Sequence, residues 1–267
     1  MQNGTGARRL GCLPARVLLR QPRLAGLRMM QALAPPSLPR TGIDPAPLML
    51  GNDTLGDCTS AGLGNAIRAV AALGGYQVAV TQADAIRFYA ASTGYSPANP
   101  ASDLGGVEVD VLAYAARHGF ALGTQSLFPL WGSADPADFN ALRLVMAGLG
   151  VAYLGVRLSV SDLNRVEASN GACVLDVGGI GWGDTTPGSA GGHCLLAWAY
   201  DGTAPRDCVT LLSWGSTATR CTWRWLASRI MEAHGLLWPQ LALANGYYPT
   251  GPDIATLRAD NAALLAG

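Results

Sequence analysis

The chain has 267 residues, of which 49% are hydrophobic and only 13% charged, with a formal net charge of zero and a mean hydropathy of +0.22. That length suits one large domain or two small ones, and so charge-poor a chain is not a solvated disordered protein. No uninterrupted apolar run reaches membrane-spanning length, so no contact with a membrane is expected.

The charge is unevenly placed. The first 43 residues hold seven arginines and no acid, and all 18 basic residues of the chain are arginine. Residues 1–47 read as a basic, Pro-rich arm. Pro14 and Pro22 interrupt any long helix, and Pro35, Pro36, Pro39, Pro45 and Pro47 enforce an extended path. The composition resembles an organelle transit peptide; the alternative is an arm lying along the domain or a neighbouring subunit. Arginines are dispersed among apolar residues without aromatic stacking platforms, which argues against nucleic-acid binding.

A single domain is expected over 48–267, helical to about 149 and stranded from about 150. Thr59–Leu73 reads as a first helix and Thr81–Ala91 as a second, with Thr81 as N-cap. The stretch TGYSPANPASDLGG is a turn-rich loop. Val107–His118 reads as a third helix and Asp135–Gly148 as a fourth. Beyond Gly150 come short apolar runs bounded by Gly, Asp and Pro: VAYLGVRLS, ACVLDVGG, HCLLAWAYDG and DCVTLLSWGS, with a small helix Ser161–Ala168 after the first. The stretch 217–239 mixes strand and helix. The fold class is therefore α+β.

Six cysteines show no Cys-x-x-Cys spacing, so neither a disulfide scaffold nor a zinc ribbon is expected. Cys58 differs from the others. It follows the loop GNDTLGD and opens the first helix, where the dipole and free N–H groups favour a thiolate. Of the three histidines, His118 and His234 precede glycines and read as ordinary helix-end residues. His193 follows the Gly-rich loop GGIGWGDTTPGSAGG and opens the apolar strand CLLAWAY, where it can face a cleft. Adjacent His193 and Cys194 should point to opposite faces of that strand, so they cannot readily chelate a metal with Cys58. No metal or cofactor is expected.

The order loop-Cys-helix, then Gly-His-strand, then a strand ending Ser-Trp-Gly resembles the papain-like cysteine peptidases. Cys58 and His193 stand 135 residues apart, as in that family. The blocks GNDTLGDCT, YSPANPASDLGG and GGHCLLAWAYDG resemble most narrowly a group of papain-like proteins of bacteriophages and prophages. The resemblance implies a papain-like fold and amide hydrolysis by a Cys58–His193 pair. Asn52, six positions before Cys58, would serve the oxyanion hole; Trp214 would shield the site. The family's orienting asparagine falls on Leu212, which cannot orient an imidazole. Ser213, with Trp214, is a candidate orienting or shielding residue, although strand alternation points it to the other face; Asp176 and Asp184 are further candidates for the orienting role. The resemblance further implies a peptide or protein substrate, a place in the virion or in host cytoplasm before assembly, and other virion subunits as partners of the arm. The alternative is a catalytically idle papain-like fold used as a subunit of a phage particle.

Overall fold

The computed structural model describes residues 8–18, 21–178 and 181–259. Three helices form the first half: α1 (Cys58–Leu73), α2 (Gln82–Thr93) and α3 (Glu108–His118). Thirteen of the sixteen residues of α1 are buried, so it is a central helix, covered on every side. Its small residues permit that approach. A Cβ on Gly62 would stand 3.0 Å from Cys194 Sγ and 3.1 Å from the Tyr153 ring. A capping box of Thr81 with Asp84 starts α2 as expected. Val107 proves to be the N-cap of α3.

A hairpin of β1 (Phe120–Leu122) and β2 (Gln125–Leu127) follows, then β3 (Leu130–Ala134). The next helix, α4 (Phe139–Leu149), begins four residues later than expected. Asp138 is its N-cap, accepting from Ala141 N–H at 3.0 Å, and Asp135 is spent on a turn to Ala137 N–H. The remaining elements are β4 (Ala152–Leu158), α5 (Val160–Ala168), β5 (Val174–Leu175), β6 (Gly191–Tyr200), β7 (Cys208–Leu212), β8 (Arg220–Thr222), α6 (Trp223–Arg229) and β9 (Ile230–Leu237).

One sheet runs in the order β3-β9-β4-β6-β7-β8-β5. Every pair of neighbours is antiparallel except β8 and β5. The fold is thus the expected α+β pairing of a helical half with a mostly antiparallel sheet. β3 was not expected, and it brings to the sheet edge a strand from before residue 150. α1 packs on β6, and Tyr153 Oη of β4 donates to Thr59 O of α1 at 2.8 Å. That bond joins the halves beside Cys58 and contributes about 1 kcal/mol. Among the described residues, no helix is long and apolar enough to cross a membrane.

The arm crosses the molecule in three steps. Residues 9–13 run between the two halves. Arg23 then bridges to Ser133 of β3, and Leu38 to Tyr200 of β6. Arg40 fixes the far end: its guanidinium donates to the carbonyls of Trp198, Met146 and Gly150 and lies 4.2 Å from the Trp198 ring centre.

Candidate active site

The helical wall of the cleft is built locally. Asp57 is the N-cap of α1, and its carbonyl accepts from Ser60 and Ala61. Cys58, at the first helical position, has a backbone N–H among those the helix itself does not use. Asn52 lies on the loop before it, buried, with Nδ2 donating to Leu55 O at 3.0 Å. The loop is braced from behind. Gly56 N–H donates to both oxygens of Asp103, and Tyr89 Oη donates to Asp103 Oδ1 at 2.6 Å while accepting from Gly105 N–H at 2.9 Å. The stretch YSPANPASDLGG thus holds the Cys58 loop, a role its turn signals did not reveal.

The sheet wall supplies the imidazole. His193 opens β6, fully buried, and the next residue donates its N–H to Cys58 Sγ at 3.4 Å. His193 Nε2 is 2.7 Å from Ser213 Oγ. Trp214 stacks on the imidazole at 4.0 Å between centres and 13° between planes. His193 Nδ1 is buried with no hydrogen-bond partner. In the tautomer that donates Nε2–H to Ser213, the Nδ1 lone pair is free to accept a proton.

Ser213 corrects the expectation drawn from strand alternation. β7 ends at Leu212, so alternation stops there. Ser213 and Ser216 exchange N–H···O bonds at 3.1 and 3.0 Å around a turn, with Trp214 at φ +46°. The turn swings Ser213 toward His193 and leaves Leu212 in the core. Asp176 and Asp184 are not the orienting group. Asp176 binds Arg224 and Thr222, and Asp184 accepts from Thr186 N–H in an exposed loop.

Between the walls lies the arm. Arg9 N–H donates to Asn52 O at 3.0 Å, Gly106 N–H to Gly11 O at 2.8 Å and Leu13 N–H to Gly106 O at 3.0 Å. On the other side, Cys12 N–H donates to Gly192 O at 3.1 Å and Trp214 Nε1–H to Arg9 O at 3.3 Å. The approach needs bare backbone. A Cβ on Gly192 would lie 2.1 Å from Cys12 O, one on Gly105 2.2 Å from Gly11 O, and one on Gly11 1.9 Å from Gly56 O. The paired glycines 105–106 and 191–192 were the available sequence signal for this trough.

Under the arm the site is dry. Cys58 and His193 are each 1% exposed. Burial pushes the Cys58 thiol up to about 12, opposed by hydrogen bonds from the Cys194 and Gly11 N–H groups. Burial lowers His193 to about 3. Asp57 is pushed up to about 8, again by burial, and so carries little charge beside the thiol near neutral pH. The closed form therefore holds a neutral thiol and a neutral imidazole.

No family model matches the sequence, and no curated protein sequence matches it. Solved structures do match. Xylellain, a cysteine protease from Xylella fastidiosa, superposes with a TM-score of 0.61 at 13% identity, over 89% of this chain and 99% of that one. Digestive procathepsin L 3 of Tenebrio molitor larval midgut superposes with a TM-score of 0.53, also at 13% identity, over 87% of this chain and 76% of that one. The architecture of this chain is accordingly the papain-like α+β fold.

Proposed function

We propose that this chain is a cysteine peptidase or amidase whose own arm closes the cleft. The observation that carries the reading is the extended arm backbone, hydrogen-bonded to both walls directly over Cys58 as a peptide substrate would lie. With the arm displaced, His193 Nδ1 takes the thiol proton and Cys58 Sγ attacks the amide carbonyl carbon. The oxyanion is met by the Cys58 N–H and by Asn52 Nδ2, which in the closed form donates to Leu55 O and faces the Asp57 carboxyl and so must turn one N–H to the substrate. Collapse transfers the imidazolium proton to the leaving amine and leaves a thioester. Water, deprotonated by His193, then releases the acid and restores the thiol. Ser213 holds the ring and Trp214 shields the bond between them.

The arm acts as a plug and is not itself cut in this register. It turns the Gly11 N–H toward Sγ, and the Gly11 carbonyl is bonded to Gly106. Attack requires a carbonyl carbon over the sulfur. Incubation with a peptide electrophile that alkylates thiols tests the assignment. An adduct on Cys58, lost in Cys58→Ala, is expected; equal labelling of both would refute it.

The idle fold serving as a subunit of a phage particle is the second reading. The near-complete burial of Cys58 and His193 favours it. The phage setting, a place in the virion and contact of the arm with other virion subunits rest on the sequence blocks above. Recovery of the chain from purified particles would support them.

A further inference from the structure

Against the arm, and close to Cys58, lies a second group of buried polar side chains that amide hydrolysis does not use. Cys12 belongs to the arm, Glu108 opens α3, and Glu232 and His234 lie on β9. His234, expected at a helix end, is in the middle of that strand. One ligand atom each from Cys12, Glu108 and Glu232 falls within 4.8 Å of the others, and Cys12 Sγ is 3.7 Å from Glu108 Oε1. The three residues are 5%, 0% and 7% exposed.

Two observations show that the cluster is incomplete. Glu108 Oε2 and Glu232 Oε1 are buried without any hydrogen-bond partner. Glu108 Oε2 has only the His234 Nε2 ion-pair contact at 3.6 Å, and carboxylates buried in a dry interior must be protonated, paired or bound to a cation. The rest of the cluster is already supported. His234 Nε2 is 3.1 Å from Glu232 Oε2, and His234 Nδ1 is 2.9 Å from Ser133 Oγ, which also accepts from the Gln21 amide of the arm. Gly155 of β4 makes room: a Cβ there would lie 2.9 Å from Glu232 Cγ and 3.3 Å from Glu108 Cδ.

We propose that Cys12 Sγ, Glu108 and Glu232 bind one zinc ion, with water in the fourth tetrahedral position. A thiolate among carboxylates selects a borderline metal such as zinc over magnesium or calcium, which take all-oxygen sites. His234 and Ser133 stand behind Glu232 and steady it. The ion joins the arm to α3 and β9, so it clasps the plug over Cys58 whether or not Cys58 is a nucleophile.

The test uses the full chain stripped with a chelator. Zinc is titrated calorimetrically, and cobalt is titrated while the thiolate-to-cobalt absorption band is followed. One ion per chain and a thiolate band are expected. Both are lost in Cys12→Ser, and the band survives in Cys58→Ser. Ser133→Ala, which acts on Glu232 only through His234, should weaken zinc by up to roughly tenfold. Absence of uptake, or a band that survives Cys12→Ser or vanishes in Cys58→Ser, would overturn the assignment. Cys12 lies on the arm, so its conservative replacement tests the site even where Glu232→Gln does not fold.

Discussion

The two walls of the cleft are assembled differently. The helical wall is contiguous: Asn52, Asp57 and Cys58 lie within seven residues of one loop and helix start, and the sequence alone positions them. The sheet wall is a composite. His193 comes from the start of β6, while Ser213 and Trp214 come from a turn beyond β7. A local constellation survives being read in one dimension; a composite one depends on where a strand ends.

Replacing residues wall by wall puts that contrast under strain. The largest effect belongs to the helical wall: Cys58→Ala should reduce peptide hydrolysis to background, measured against wild type after the arm has been displaced. Asn52→Ala comes next. Loss of an oxyanion donor costs about 10²–10³ in kcat, and a fall in thermal stability with kcat unchanged would make Asn52 merely a brace for the loop.

Acid acts on the sheet wall. With the arm in place His193 stays neutral down to about 3, whereas a solvated imidazole protonates near 6.5. Below that value the open form binds a proton that the closed form refuses. Well below 6.5 each pH unit therefore favours release of the arm by nearly tenfold, roughly fiftyfold between pH 6.5 and 4.5. Asp57 and Glu108, which burial raises in the closed form, act in the opposite sense wherever release of the arm exposes them, so the His193 contribution is the difference in slope between wild type and His193→Gln. Hydrogen exchange at the Cys12 and Leu13 amides, corrected for intrinsic rates, should show protection falling with pH; a flat profile would break the link. The smallest effect is Ser213→Ala, which removes one neutral hydrogen bond of about 1–1.5 kcal/mol and should lower kcat about tenfold with KM little changed.

The same contrast explains what could be read beforehand. The loop-Cys-helix block and the Gly-His strand were visible because each is short and continuous. Ser213 was assigned to the wrong face because alternation was carried past Leu212, into a turn that Trp214 closes at positive φ. β3 escaped notice because LWGSA has a glycine and a serine in place of alternating apolar residues. His234 looked like a helix end because a glycine follows it, yet Gly235 pairs in register with Gly132 and Ala152 inside the sheet. The Cys12, Glu108 and Glu232 cluster draws on positions 12, 108 and 232 and had no local signature at all.

The central claim is that Cys58 faces His193 as a nucleophile held shut by the arm. The most direct measurement is the rate of alkylation at each cysteine by a peptide electrophile, mapped by mass spectrometry, in wild type and Gly11→Ala. The added methyl would stand 1.9 Å from Gly56 O, so the arm and the Gly56 loop can no longer keep their present approach. Selective modification of Cys58, faster in Gly11→Ala, is the expected result. Equal rates in the two proteins, or modification spread over the other cysteines with Cys58 inert, would contradict it.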